Sequence, residues 1–163
     1  RLFPYCSAVC CMHALKQAQW VKRRNPLIEC VIFYTDMRAE GRHYYEYYLR
    51  EIGVSAIELI RGRPGLIYPL PAGDGIAVKY ENTITQSLQI RKFDMVVLNG
   101  ALQPSLVKAQ ASGYSPELDT EGLLSGISPN IKSCGFCREP VDVEASVIQA
   151  SSAALRAHVG EKQ

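Results

Sequence analysis

Cys30-Val31-Ile32-Phe33-Tyr34 is the stretch on which the fold turns. It is a short continuous apolar run, rich in β-branched and aromatic side chains. Such a run reads as a strand covered on both faces, the habit of parallel sheets. Upstream, Cys11, Ala14, Leu15, Ala18 and Val21 recur at helical spacing, which predicts a helix from about Val9 to Arg24. That helix stops before Asn25-Pro26, because a residue preceding proline is pushed out of the helical region. Lys22-Arg23-Arg24 reads as its solvated end, where cations complement the dipole. Downstream, Gly41 to Ile52 is helical again, with Tyr45, Tyr48, Leu49 and Ile52 in one stripe and Gly53 placed to close it. Ala56–Arg61 is the next strand. Helix–strand–helix–strand is the rhythm of an α/β unit.

The rhythm then changes. Gly65–Pro69, Ile76–Glu81, Ser87–Lys92 and Met95–Leu98 read as short strands separated by turn clusters such as Pro71-Ala72-Gly73-Asp74-Gly75. They form an antiparallel meander whose last strand is apolar enough to return to the main sheet. From Gln103 to Asn130 the chain is rich in Ser, Gly and Pro and reads as loop, with one helical turn near Leu106–Ala109. A closing helix from about Val143 to Val159, ended by Gly160, puts Val147, Ser151, Ala154, Leu155 and His158 on one face. Trp20 reads as packing. The run Tyr44-Tyr45-Glu46-Tyr47-Tyr48 reads as a packed helix with an aromatic edge suited also to contact with another chain.

Composition bounds the function. Hydrophobic residues make up 47% of the 163 and charged residues 21%, with a net charge of +2. That is ordinary for a globular protein and gives no basic surface for nucleic acid. No apolar stretch approaches the roughly 20 residues of a membrane span, and no signal peptide is legible. The chain opens at Arg1, beside its densest cysteine group, and so reads as a fragment.

Six cysteines stand at positions 6, 10, 11, 30, 134 and 137. This distribution is unlike a secreted disulfide scaffold and points to a reducing compartment, with metal or redox chemistry at two spots. The first is Cys6-Ser7-Ala8-Val9-Cys10-Cys11. Three thiols at a loop-to-helix junction can converge on one centre, and a helix N-terminus favours the thiolate that binds metal. An iron–sulfur cluster needs four ligands as a rule, so a fourth must come from elsewhere. Small hydrophobes in a packed helix start are the plain alternative, and zinc held by Cys6, Cys10 and Cys11 in a non-catalytic interaction module is another. The second spot is Cys134-Gly135-Phe136-Cys137, compatible with half a zinc site, a redox dithiol or coincidence. Cys30 reads as core. His13 is a polar helix residue beside the cysteines or an additional ligand; His43 and His158 read as surface. Asp36 and Arg38 close the strand over Val31–Met37, as a turn pair or as a ribose contact beyond the strand's carboxyl end. No triad or paired-carboxylate site stands out.

Tyr5-Cys6-Ser7-Ala8-Val9-Cys10-Cys11-Met12, Val31-Ile32-Phe33-Tyr34-Thr35-Asp36-Met37-Arg38 and Ile60-Arg61-Gly62-Arg63-Pro64, in that order, resemble the A subunit of heterodisulfide reductase and its relatives. These relatives include flavoprotein subunits of the quinone-interacting membrane-bound oxidoreductase. Pro140-Val141-Asp142-Val143 and Ser146-Val147-Ile148-Gln149-Ala150-Ser151 resemble the segment that closes the family's flavin domain. The resemblance implies a thioredoxin-reductase-like flavoprotein, an FAD domain with a second α/β domain inserted in it. On this reading residues 1–100 are a partial Rossmann-like, NAD(P)-binding-like domain, lacking its first strand and carrying the cysteine motif. Residues 101–163 are then a linker and the C-terminal part of the FAD domain.

By the same resemblance Cys6, Cys10 and Cys11 are ligands of a 4Fe–4S cluster whose fourth cysteine lies upstream. The family's late flavin-contacting loop corresponds to Gly135-Phe136-Cys137, where Phe136 replaces a small glycine, and Cys137 and Asp142 are the flavin-contact candidates. Asp142 reads equally well as a helix N-cap. The implied activity is electron transfer between FAD and iron–sulfur clusters in an oxidoreductase complex. No Gly-rich dinucleotide fingerprint occurs, so this stretch by itself is expected to be inactive, with both cofactors incomplete or absent. Partners would be other subunits, with a homodimer as a further arrangement. The expected location is cytoplasmic, reaching a membrane complex through those partners.

Overall fold

The structure, a computed structural model, describes residues 4–105, 116–125 and 131–160. The chain divides into two compact units, Cys10–Asn99 and a second made of Arg1–Val9 with Gly100–Gln163.

The larger unit follows the α/β rhythm. Helix α1 spans Cys10–Arg24, strand β1 Val31–Tyr34, helix α2 Tyr44–Ser55 and strand β2 Glu58–Arg61. β1 and β2 pair in parallel, from Val31 opposite Glu58 to Tyr34 opposite Arg61, with α2 as the crossover that parallel neighbours require. Side chains alternate across the pair. On one side Ile32, Ile57 and Leu59 pack with Met12, Leu15 and Ala18 of α1 and with Tyr44, Tyr47 and Tyr48 of α2. On the other, Val31, Phe33 and Ile60 meet Val78, Tyr80, Phe93 and Val96. The Phe33 ring stands edge-on to Tyr80 at 4.7 Å and to Phe93 at 5.9 Å. A layer of helices and a layer of antiparallel strands thus cover the two faces of the parallel pair.

That second layer is β3 (Pro64–Pro69), β4 (Ile76–Asn82) and β5 (Ser87–Phe93) in sequence order, all antiparallel. Two glycines are required by close approach. A Cβ on Gly62, between β2 and β3, would lie 2.1 Å from the Glu81 carbonyl oxygen, and one on Gly75 would lie 2.7 Å from that of Phe93. Thr83 ties the β4–β5 turn back to β2, its N–H and hydroxyl both donating to the Arg61 carbonyl, at 3.0 and 2.9 Å.

A polar cluster sits in the seam between α1 and α2. Gln19 and Glu51 are buried, at 2% and 4% exposure. The Gln19 amide donates to the Glu51 carboxylate, and the Tyr47 hydroxyl donates to Gln19 Oε1. Arg50 Nε at 3.1 Å and the Ser55 hydroxyl at 3.4 Å complete the shell of Glu51. Burial, with the Glu51 charge adding to it, pushes the Tyr47 phenol above its ordinary value, partly opposed by Arg23 and Arg50.

Several sequence expectations fail here. The inward face of α2 is Tyr44, Tyr47, Tyr48, Glu51 and Ser55, while Tyr45 and Leu49 are exposed. Gly53 does not close α2, which runs on to Ser55 and ends at Ala56 in the left-handed region, φ 47°. β2 accordingly begins at Glu58 rather than Ala56. Trp20 is not packing, for it is 72% exposed. Met95–Leu98 forms no strand. Asp94 bends the chain where β5 ends; Val96 packs on the core while Met95, Val97 and Leu98 face outward.

In the smaller unit α3 spans Val143–Gly160, matching the expected limits but not the expected face. Ala145, Ser146, Gln149 and Ala153 are half-buried, and Val147, Ser151, Ala154, Leu155 and His158 are exposed. Residues 116–125 form a loop closed by an isolated bridge between Leu118 and Leu124. Asp119 organises it, its carboxylate accepting from the Glu121 and Leu123 N–H groups at 2.8 and 2.9 Å. The helical turn expected at Leu106–Ala109 lies outside the described residues.

Candidate functional site

The first turn of α1 carries Cys10 and Cys11, both half-buried. The Asn99 side-chain amide donates to the Cys10 carbonyl at 2.6 Å, and the Cys11 thiol donates to the Asp36 carbonyl at 3.6 Å. Asp36 follows the carboxyl end of β1, and Arg61 closes β2. Arg61 donates to the Thr35 carbonyl at 3.4 Å and lies 4.0 Å from the Asp36 carboxylate. The Cys11 thiol and the Cys10 backbone are thus held, the thiol beside the carboxyl end of β1, where open α/β sheets place their ligands. Asn99 carries no motif in the sequence; its contact with Cys10 spans 89 residues. Arg38 pairs with Glu40 at 3.2 Å rather than with Asp36. His13 is exposed, with a ring nitrogen 3.1 Å from the Gln17 amide.

Cys6 belongs to the smaller unit and is exposed. Its neighbours are anchored there: the Tyr5 hydroxyl donates to the Leu102 carbonyl at 3.0 Å, and the buried Ser7 hydroxyl accepts from the Leu102 N–H at 2.9 Å. The Ala8 N–H points at the Cys6 sulfur from 3.4 Å, with Ala8 in the left-handed region at φ 62°. An N–H directed at a cysteine sulfur is the kind of contact that tunes iron–sulfur potentials. Burial raises the Tyr5 phenol above its ordinary value, helped by Glu121 and Asp119.

Cys134 and Cys137 bracket a single 3₁₀ turn over Gly135–Cys137. Both thiols are half-buried, and the Cys137 thiol donates to the Cys134 carbonyl at 3.0 Å. Gln149 of α3 holds the turn, its Oε1 accepting from the Gly135 N–H at 2.8 Å while its amide donates to Glu139 at 2.6 Å. Phe136 turns its ring toward Tyr5, 6.2 Å between centroids. Asp142 is an N-cap, with its carboxylate accepting from the Ala145 N–H at 2.8 Å. Cys30 is half-buried against the helix layer, its thiol pushed up by burial and partly held down by Lys22.

Thiols are the donors that iron–sulfur clusters take, so Cys6, Cys10 and Cys11 fit that class in kind and are one short of four in number. Among the described residues no three Cys, His, Asp or Glu side chains come together as a metal-binding group. No helix there is long and apolar enough to cross a membrane.

The fold is that of a mixed α/β protein with two cysteines at the head of its first helix. No family model matches the chain, but individual relatives do. It is 34% identical over 168 residues to the second iron-sulfur A subunit of the CoB–CoM heterodisulfide reductase of Methanopyrus kandleri, covering 96% of this chain and 26% of that protein. A similar match, 34% over 161 residues, links it to the corresponding iron-sulfur A subunit of Methanocaldococcus jannaschii, covering 92% and 24%. Over 101 residues, 62% of this chain and 12% of the relative, it is 42% identical to the A subunit of the ferredoxin:CoB–CoM heterodisulfide reductase of Methanosarcina mazei. The chain belongs to the family of heterodisulfide reductase A subunits. It spans about a quarter of the length of the first two of these relatives.

Proposed function

We propose that this chain is an electron-transfer segment of an FAD- and iron–sulfur-containing oxidoreductase subunit that works in a larger redox complex. The observation that carries the reading is the identity of about one residue in three, across nearly the whole chain, to proteins named as iron-sulfur A subunits of heterodisulfide reductase. In this reading Cys6, Cys10 and Cys11 supply three thiolates to a 4Fe–4S cluster, and the fourth ligand comes from outside these residues. Cys137 and Asp142 lie against the flavin. When bound, the two groups supply one-electron carriage and a junction to two-electron chemistry.

The chain's own residues do the positioning. Asn99 holds the Cys10 backbone, so the first turn of α1 is fixed before any ligand arrives. The Ala8 N–H lowers the electron density on the Cys6 sulfur. Asp142 orders the start of α3, whose N–H groups favour an anion. The α/β unit serves as a Rossmann-like scaffold, and the protein acts beside other subunits in the cytoplasm.

The test uses the longest native polypeptide that contains this chain, reconstituted anaerobically with iron and sulfide. Broad visible absorption and bound inorganic sulfide are expected, both falling when Cys6, Cys10 and Cys11 are together replaced by serine. Full retention of sulfide in that triple variant would sink the ligand assignment, and a colourless protein holding zinc would favour an interaction module instead. Asp142→Asn keeps the cap and removes the charge. Unchanged FAD affinity in that variant would leave Asp142 with capping alone.

A further inference from the structure

The Cys134-Gly135-Phe136-Cys137 turn holds one cysteine that the flavin assignment does not use, and its geometry is specific. We propose that Cys134 and Cys137 form a reversible redox dithiol, oxidised to an intramolecular disulfide by exchange with a low-molecular-weight disulfide. The inference depends on neither a bound cluster nor a bound flavin.

Three observations support it. First, the chain is already folded back so that the sulfur of Cys137 lies 3.0 Å from the Cys134 carbonyl oxygen. Standard bond lengths then put that sulfur within about 5.4 Å of the Cys134 Cα. A disulfide needs Cα atoms about 4.4–6.8 Å apart. Cys134 is extended, at φ −151° and ψ 161°, and leads directly into the turn that carries Cys137, so the Cys137 sulfur is already close to the Cys134 backbone.

Second, the turn is held from outside itself. Gln149 fixes the Gly135 N–H, the Leu124 N–H donates to the Cys137 carbonyl at 2.7 Å, and Gly135 takes φ 72°, which favours glycine. A turn held in this way keeps the two thiols near each other in the reduced form. That raises their effective concentration and favours the bridge. Third, both thiols are half-buried rather than sealed, so a small disulfide can reach them.

The chemistry balances. One thiolate attacks the external disulfide and expels one thiol, giving a mixed disulfide on the protein. The second thiolate attacks the protein sulfur of that intermediate and expels the other thiol. Two protein thiols lose two electrons and two protons, and one external disulfide becomes two thiols.

Trypsin cleaves after Lys132 and Arg138, so the peptide Ser133–Arg138 carries both cysteines and no other. The purified protein is equilibrated in a graded series of reduced and oxidised glutathione, quenched by alkylation, digested and weighed. The expected result is joint loss of both alkylation sites, with a peptide lighter than the dithiol by two hydrogen atoms and restored by reductant. In Cys134→Ser, where no second thiol can resolve the intermediate, a stable glutathione adduct should accumulate on Cys137 at least tenfold above wild type. Two thiols that stay alkylatable throughout the series would overturn the proposal, as would adducts on both cysteines with no bridged peptide. The wild-type titration decides it even if the variant fails to fold.

Discussion

Replacing Gln19 by leucine tests whether the polar cluster between α1 and α2 holds the larger unit together. The Gln19 amide is a donor to a carboxylate that is 4% exposed, and its oxygen is the acceptor for Tyr47. A hydrogen bond to a charged group contributes about 1.5–3 kcal/mol and a neutral one about 1. The buried leucine returns about 1 kcal/mol by its larger apolar area. Glu51 keeps only Ser55 at 3.4 Å and Arg50, a 64%-exposed neighbour whose charge is largely screened. The net expectation is a loss of about 2 kcal/mol, roughly thirtyfold in the folded-to-unfolded ratio. The double variant Gln19→Leu/Glu51→Met removes both partners, and replacing a buried polar pair by apolar groups of similar shape is close to neutral. It should therefore be more stable than the Gln19→Leu single variant, with a coupling energy of at least about 1 kcal/mol. Urea titration by far-ultraviolet circular dichroism, with amide exchange at α1 and α2 to isolate this unit, measures both. Trp20 fluorescence is unsuitable because that ring is largely in solvent. If the double variant lost the sum of the two single losses, Gln19 and Glu51 would be energetically independent, and the cluster would not act as a unit.

Gly62→Ala should cost about 3 kcal/mol, the upper range for overpacking, because the Cβ meets the Glu81 carbonyl and not a side chain that can rotate away; thermal melts check it. Asp142→Ala should destabilise α3 by about 1 kcal/mol through loss of its cap, read as faster exchange at the Ala145 amide, with Asp142→Asn close to wild type. Alkaline titration should reveal Tyr47. Its phenol is raised in the folded chain, so the unfolded chain ionises first. The stability it contributes is full below about pH 10 and is lost as pH climbs through the folded value. Tyr47→Phe should make the decline in stability above that pH shallower.

Strand and helix limits set by local chemistry were readable in the sequence. Asn25-Pro26 stops α1, and β1 is marked by its unbroken apolar run. The turn clusters separate β3, β4 and β5. What periodicity could not supply is which stripe turns inward. In α2 the buried stripe contains Glu51, while Leu49 and Val54 face solvent. A pattern of apolar residues cannot foresee that, because a buried carboxylate is tolerable only when Gln19, from another helix, is there to bond it. α3 repeats the lesson: its inward stripe is Ala145, Ser146, Gln149 and Ala153, held partly by the Gln149 bonds to Gly135 and Glu139. The strand expected at Met95–Leu98 had suitable residues, but Asp94 bends the chain after β5, and Val96 packs on the core as a single side chain while Met95, Val97 and Leu98 face outward. At the candidate site, cysteine spacing named the candidate donors. Asn99 carried no local signal, since its role exists only once 89 residues have folded back.

Cys11 shows how closely scaffold and proposed ligand are joined. As a thiol it donates to the Asp36 carbonyl, linking the head of α1 to the end of β1. As a metal ligand it would have no proton to donate, so the two roles exclude each other. At 3.6 Å the thiol contact is weak, and giving it up costs little beside a metal–thiolate bond. Asn99 supplies what the lost contact would otherwise have to: its amide holds the Cys10 backbone carbonyl at 2.6 Å and is indifferent to the state of either sulfur. The first turn of α1 can therefore keep its place while its thiols change partners, which is the property a ligand-bearing helix terminus needs.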